Sequence, residues 1–275
     1  MKMKVIIFGS NGMLGSYVSK YMKKNNINVI ELSRMDYDLL NLNKITLEKL
    51  LINNNIDNKT IVINCAGIIP QSSKDNKLFE KNYYKINSLF PIMLSSICEK
   101  YNSKMIHVTT DCVFDGEKGN YDENDKHTAD DSYGISKSLG ELCDCTIIRT
   151  SIIGEEIINK RSLLEWVKLN ENGKINGYSN HLWNGITCLQ LSKILFKIIS
   201  ENLYWNGVKH IFSPDIVSKY ELVKMINEIY SLNIEINDYK TEKNIDKTLK
   251  SIYSEFVDIP NIYEQIIEQK NFKLN

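Results

Sequence analysis

Short apolar runs alternate with segments of helical period through the first half of the chain. Val5 to Phe8, Val29 to Leu32, Ile61 to Asn64, Met105 to Thr109 and Cys145 to Arg149 have the density of buried strands. Between them, Met13 to Lys24, Ile45 to Asn54, Leu78 to Tyr101 and Ser132 to Cys143 carry apolar residues at helical spacing. This alternation predicts an α/β fold with a Rossmann-type, doubly wound parallel sheet covered on both faces. Ligands then belong at the carboxyl ends of the strands. After residue 150 the alternation loosens. Helical segments at Leu163 to Leu169, Leu189 to Glu201 and Lys219 to Tyr230 are separated by turns rich in Gly, Asn and Trp. The expected organisation is a dinucleotide-binding domain over 1–150 and a smaller C-terminal substrate lobe over 151–275, with segments near 186–215 returning to the first domain. Residues 115–131 are polar, acidic and turn-rich, which suggests a surface loop over the mouth of a site.

Composition narrows the classes. The 275 residues are 43% hydrophobic and 25% charged, as in an ordinary globular protein. Lys plus Arg and Asp plus Glu number 34 each, so charge gives no case for nucleic acid or an anionic membrane as partner. No apolar span is long enough for a bilayer and no signal-like segment precedes the first strand, so a cytoplasmic location is expected. The six cysteines lack the paired C-x-x-C spacing of a zinc or redox site, and no metal is expected. Cys143 and Cys145 read as small hydrophobes alternating within a strand, whereas Cys112 stands beside suspected chemistry. The abundance of Asn, Lys and Ile supports no functional conclusion.

Two motifs carry that chemistry. After the first strand, Gly9-Ser10-Asn11-Gly12-Met13-Leu14-Gly15 spaces its glycines as G-x-x-G-x-x-G. Gly9 suits a tight turn, Gly12 the approach of backbone to a pyrophosphate, and Gly15 close packing of the next helix, whose N-terminus would face the phosphates. Further along, Tyr133 and Lys137 lie four residues apart in a helical segment, on one face and one turn from each other. A cation there would favour tyrosinate and let the phenol exchange a proton with a substrate oxygen. Alone, such a pair is more often an amphipathic face with a solvated charge.

With Thr109-Thr110-Asp111-Cys112-Val113-Phe114-Asp115-Gly116, Tyr133-Gly134-x-Ser136-Lys137-x-x-Gly140-Glu141 and Arg149-Thr150-Ser151 added, the sequence resembles the extended short-chain dehydrogenase/reductases, specifically the dTDP-4-dehydrorhamnose reductase family. The resemblance implies NADPH-dependent reduction of the 4-keto group of a nucleotide-linked 6-deoxyhexulose, in rare-sugar or polysaccharide biosynthesis. It implies a catalytic triad in which Tyr133 donates the proton, Lys137 tunes it and binds nicotinamide ribose, and Thr110 hydrogen-bonds the substrate oxygen. The alternative for Thr110 is a strand-end hydroxyl capping a turn. Cofactor contacts are expected from the Gly9 to Gly15 loop, from Ser33 and Arg34 after the second strand, from Asp38 and Leu39 on the adenine side, and from Cys65, Ala66 and Gly67. Arg34 stands where an acidic residue would select NADH, so NADPH is favoured and NADH is still admitted. Asn87 would be a structural Asn of the central helix. The nucleotide sugar is the expected partner, and a homodimer the expected assembly.

Substrate contacts are expected from Thr110, Asp111, Cys112, Ser151 and Trp183. Here the chain departs from the family, which usually has Tyr at Cys112 and an aromatic residue at Ile152, so the pocket would suit another sugar, such as a UDP-linked or N-acetylated one. The stretch Asn176 to Gly185 is a candidate wall for sugar and nucleotide, with packing between lobes the equal alternative for Trp183. The 4,6-dehydratases resemble this scaffold but need Asp-Glu after the Thr, and here Cys112 follows Asp111. A bifunctional epimerase-reductase of the GDP-fucose synthase type would use Cys112 with His181 as its partner. A non-catalytic NADP-binding regulatory subunit, as in methionine adenosyltransferase, is the remaining alternative. An intact Thr110, Tyr133 and Lys137 argues for turnover.

Overall fold

The computed structural model describes residues 3–70, 77–256 and 258–274. The chain opens with β1 (Lys4–Phe8), α1 (Met13–Lys24), β2 (Asn28–Leu32), α2 (Lys44–Asn53) and β3 (Thr60–Asn64). An interrupted helix follows, α3 (Lys77–Tyr83), a π turn (Tyr84–Leu89) and α4 (Phe90–Lys100), then β4 (Lys104–Thr110), α5 (Ser132–Gly140) and β5 (Thr146–Thr150). Beyond them lie β6 (Ile152–Ile153), α6 (Leu163–Leu169), β7 (Lys174–Tyr178), β8 (His181–Trp183), β9 (Ile186–Thr187), α7 (Cys188–Ser200) and β10 (Gly207–His210). The chain ends with β11 (Val217–Ser218), α8 (Lys219–Tyr230), β12 (Glu235–Tyr239), β13 (Ile245–Asp246) and α9 (Ile262–Phe272).

Six strands form one parallel sheet in the order β10-β5-β4-β3-β1-β2. Alternate residues of each strand feed opposite cores. Val5 and Ile7 pack with Tyr17, Val18 and Met22 of α1 and with Leu191, Leu195 and Ile198 of α7. Ile6 and Phe8 pack with Leu47 and Leu51 of α2 and with Phe90 and Leu94 of α4. Burial on both faces is why the strands read as unbroken apolar runs, and it bears out the expected doubly wound fold. The direction of winding reverses between β1 and β3, which opens a crevice at the carboxyl ends of the strands. β10, which the periodicity did not mark as a strand, pairs with β5.

The smaller lobe has its own core, formed by Leu164 and Val167 of α6, Ile175, Trp183, Leu222 and Ile226 of α8, and Ile262 and Ile266 of α9. The loop after Phe114 is tied down. Phe114 and Tyr121 stack with ring centroids 4.1 Å apart, and Tyr121 bridges to Leu249.

Several expectations need correction. Cys143 and Cys145 precede β5 in the turn after α5, buried with their sulfurs 3.5 Å apart. The helix expected over Leu78 to Tyr101 is broken by the π turn. Asparagine also has a structural use: Asn26, Asn55, Asn102 and Asn202 follow α1, α2, α4 and α7 with φ of 60°, 53°, 53° and 56°. Each occupies the left-handed position that ends a helix. The next residue's N–H reaches back to the helix at 2.9 to 3.1 Å, as from Ile27 N to Met22 O and from Ser103 N to Cys98 O.

Candidate active site

β4 ends in Thr110, and the chain turns at once into a single 3-10 turn, Asp111–Val113. Thr110 Oγ1 accepts the Cys112 N–H at 3.2 Å and donates to Asp111 Oδ1 at 3.0 Å. The capping role is therefore realised. The Tyr133 phenol lies near enough to the same hydroxyl to feel it. Tyr133 arrives there because α5 begins directly above the turn, capped by Asp131, whose Oδ1 accepts the Gly134 N–H at 2.8 Å. A Cβ on Gly134 would stand 2.4 Å from the Cys112 carbonyl oxygen and 2.5 Å from Ala129 Cβ. Only glycine lets the first turn of α5 press so closely on the end of β4.

Lys137 follows one turn later and is buried, its Nζ donating to the Val108 carbonyl at 3.4 Å. Burial lowers its pKa to about 8, against the opposing pull of Glu141. Burial also raises the pKa of Tyr133, reinforced by Cys112 and Asp111 and opposed by the Thr110 hydroxyl. The expectation that Lys137 favours tyrosinate is thus corrected. Desolvation wins, and the phenol keeps its proton.

The glycine loop is shaped for a close neighbour. Gly9 has φ 76°, and a Cβ there would stand 2.8 Å from the Ala66 backbone. On Gly15 a Cβ would lie 2.1 Å from Gly9 O. No side chain caps α1, whose N-cap is Gly12, so its first N–H groups have no side-chain acceptor. Ser10 is 3% exposed, yet its hydroxyl has no hydrogen-bond partner among the described residues. A dinucleotide pyrophosphate would satisfy both. Asn11, Met13 and Leu14 complete this loop and the first turn of α1. A Cβ on Gly67, just past Ala66 on the loop after β3, would stand 3.8 Å from Lys137 Nζ, so this loop links the glycine turn to the tyrosine–lysine face. Cys65 begins it, and burial pushes its thiol up to about 12.

Asn87 fixes that link. Its Oδ1 accepts the Ile68 N–H at 3.0 Å, while its Nδ2 donates to Ile68 O at 3.0 Å and to Ser136 Oγ at 3.1 Å. Asn87 lies in the π turn, where one extra residue per turn re-aims side chains. After β2, Ser33 Oγ donates to Asp36 Oδ2 at 2.7 Å, and exposed Arg34 lies 3.3 Å from Asp38, which also caps the turn at Leu39.

On the substrate side, Ser151 Oγ accepts the Trp183 indole N–H at 2.8 Å. Trp183 is 4% exposed and belongs to the lobe core, so packing describes its place rather than an open wall. Burial, with Asp111 beside it, pushes the Cys112 thiol up to about 12. His181 Nε2 pairs with Thr241 Oγ1 at 2.8 Å. The sequence reading missed Lys219, the first residue of α8. Its Nζ lies 4.7 Å from the centroid of the Trp183 ring, close enough to Asp111 to feel its charge and facing Cys112 as well. Nothing marked it, because a helix lysine normally reads as a solvated charge.

Behind the site, Arg149 is 2% exposed and pairs with Glu141 through Nε at 3.1 Å and through Nη2. Its remaining N–H groups point to His210 Nε2 at 2.7 Å and His127 Nε2 at 2.6 Å. Arginine only donates, so both imidazoles accept at Nε2 and carry their proton on Nδ1, facing Lys250 O at 2.8 Å and Ser138 Oγ at 2.5 Å. Among the described residues no group of three or more His, Cys, Asp or Glu could hold a metal ion, and no helix is long and apolar enough to cross a membrane.

Comparison with known proteins agrees with this geometry. The profile of the family described as RmlD substrate binding domain matches residues 3–261. A dTDP-4-dehydrorhamnose reductase of Mycobacterium tuberculosis is 26% identical over 159 residues, which cover 54% of this chain and 49% of that protein. The match thus spans about half the length of that relative. The spore coat polysaccharide biosynthesis protein SpsK of Bacillus subtilis is 25% identical over 265 residues, 91% of this chain and 88% of the relative. Among solved structures, a dTDP-4-dehydrorhamnose reductase of Bacillus anthracis in complex with NADP superposes with a TM-score of 0.83 at 20% identity, over 99% of this chain and 100% of that one.

Proposed function

The chain belongs to the RmlD substrate-binding-domain family, and we propose that it reduces the 4-keto group of a nucleotide-linked 6-deoxyhexulose with NADPH. The observation that carries this reading is the meeting of Thr110 and Tyr133 at the end of β4, with Lys137 one turn on and Gly67 beside it. Relatives named as nucleotide-sugar reductases support it, among them a dTDP-4-keto-6-deoxy-D-glucose reductase of Streptomyces niveus and a probable low-salt glycan biosynthesis reductase of Haloferax volcanii. So does the NADP in the Bacillus anthracis neighbour.

When bound, NADPH would supply the hydride, held by the Gly9 to Gly15 loop and the N-terminus of α1. The protein's own residues do the rest. Thr110 offers its hydroxyl to the carbonyl oxygen, exchanging its present contacts for the substrate. Tyr133, a phenol kept protonated by burial, delivers its proton to that oxygen as negative charge develops. Lys137 stabilises the phenolate left behind and is placed to meet the ribose. Ser151, held by Trp183, and Asp111 flank the sugar. The test is NADPH oxidation with dTDP-, UDP- and GDP-linked 4-ketosugars, all formed in situ by a 4,6-dehydratase. NADPH binding without turnover on any of them would instead mark a regulatory binding protein.

Arg34 is the proposed partner of the cofactor's 2′-phosphate. Its exposed contact with Asp38 is weak enough to yield to a doubly charged phosphate. Arg34→Ala should narrow discrimination between NADPH and NADH by roughly 1 to 3 kcal/mol. The ratio of kcat/KM for the two cofactors reads this directly, and an unchanged ratio makes Arg34 a surface charge.

Reduction without epimerisation is expected as well. A thiol pushed up to about 12 is a poor base at carbon, and His181 is engaged by Thr241. With protiated NADPH in D₂O, the sugar's C3 and C5 should gain no deuterium beyond an enzyme-free control. Enzyme-dependent label that vanishes in Cys112→Ser would reverse this expectation.

A further inference from the structure

Lys219 is placed against several penalties at once. It is the first residue of α8, where the helix dipole is positive and a cation is unfavourable. Its side chain is half-buried, and that burial lowers its pKa to about 8. Among the described residues it makes no ion pair and no hydrogen bond. Its described compensation is the charge of Asp111, with which it makes no ion pair, and the Trp183 ring at 4.7 Å. The neighbouring carboxylate does not close on it, because Asp111 Oδ1 is turned to Thr110 Oγ1 and Cys112 Sγ. A partly dry cation without a counter-ion is costly unless an anion completes it.

Its place in the fold identifies the anion. Lys219 faces Asp111 and Cys112 after β4, while the glycine loop follows β1, with β3 lying between those strands. The dinucleotide's own pyrophosphate, on the glycine loop, therefore occupies other ground. Lys219 comes from the smaller lobe, beside Trp183 and hence beside Ser151. Resting on the substrate class proposed above, we propose that Lys219 is the binding residue that grips the diphosphate of the nucleotide sugar. Diphosphate is the anion common to every such substrate, and a lysine serves it as a point charge whose contact gains strength in a dry setting. The Trp183 face and its hydrogen bond to Ser151 then hold this cation in register with the sugar.

The experiment titrates dTDP, UDP and GDP calorimetrically into the wild type, Lys219→Met and Lys219→Arg, with NADPH titrated in parallel, and with KM for the ketosugar and Tm measured for each. Lys219→Met should weaken the nucleoside diphosphate that binds by about tenfold or more, as losing a charge-assisted contact would. Lys219→Arg should recover most of it, and NADPH affinity should stay within about twofold, since α8 is not part of the glycine-loop site. Because the substitution removes a half-buried charge that makes no ion pair, the Tm of Lys219→Met should equal or exceed that of the wild type, whereas a merely structural lysine would show a fall. Equal diphosphate affinity in wild type and Lys219→Met would overturn the assignment while leaving the reductase reading intact. A loss confined to intact ketosugar would likewise overturn it, placing Lys219 on the sugar. Failure of the wild type itself to bind dTDP, UDP or GDP, with NADPH binding retained, would overturn the nucleotide-sugar reading.

Discussion

Tyr133→Phe is expected to slow ketosugar reduction by on the order of 10²-fold or more while leaving NADPH affinity near that of the wild type. The phenol is the proton donor proposed beside Thr110, and burial keeps its proton on the oxygen at neutral pH. Removing it leaves the developing alkoxide with the Thr110 hydroxyl alone. The ring of Phe preserves the edge-on packing against Tyr83, whose centroid lies 5.9 Å away, so the fold should be unaffected. A matching pH dependence follows from Lys137. Its pKa of about 8 leaves it charged below that value and neutral above it. The proposed mechanism needs the cation, so kcat/KM for NADPH, which reports groups of the free enzyme, should fall as pH rises through about 8. Turnover by Tyr133→Phe within a few-fold of wild type would remove Tyr133 from the chemistry.

The parts of the molecule that the sequence made legible are those where one physical rule acts alone. β1, β3, β4 and β5 are buried on both faces, so their identity depends only on apolar density, while the edge strand β2 keeps enough of it in Val29, Ile30 and Leu32. β10 has partly exposed residues and begins at Gly207, and with no such density it was found only through its pairing with β5. The π turn was invisible for a different reason. One extra residue in a helix barely disturbs the apolar period, yet it places Asn87 where it clamps both the loop after β3 and α5. The glycine spacing around Gly9 and Gly15 was legible because close backbone approach leaves glycine no substitute. The tuning of Tyr133 was misread because one helical turn to Lys137 gives proximity in sequence, whereas desolvation depends on everything packed above it. Trp183 showed the same limit, since an aromatic residue near a site reads alike as wall or as core. Lys219 comes from the lobe, and only the fold brings it opposite Cys112.

Arg149→Met should cost roughly 3 to 5 kcal/mol of folding stability, the range for removing one partner of a buried ion pair. The reason lies in what stays behind. Glu141 has only 4% of its side chain exposed, and without the guanidinium its charge is left with His127 Nε2 at 3.3 Å and the longer-range attraction of Lys137. His210 and His127 lose their Nε2 donors in the same step, and the guanidinium no longer lies over the Phe114 ring, 5.1 Å from its centroid. These contacts join β5, β10, α5 and the loop after Phe114, so the loss should appear as a lower urea midpoint for the whole molecule. Glu141→Gln should be milder, because it leaves the cation with two imidazole acceptors. The double variant should be more stable than Arg149→Met alone, since no orphaned carboxylate remains. The imidazoles add a pH signature. Burial, with Arg149 beside them, lowers both His127 and His210 below the usual 6.5. Between those lowered values and 6.5 the unfolded chain binds more protons than the folded one. Stability from this network is therefore complete above about pH 6.5 and declines as pH falls below it. Arg149→Met should flatten that decline as well as lower the midpoint. A variant with wild-type midpoint and slope would show that the pair contributes nothing net.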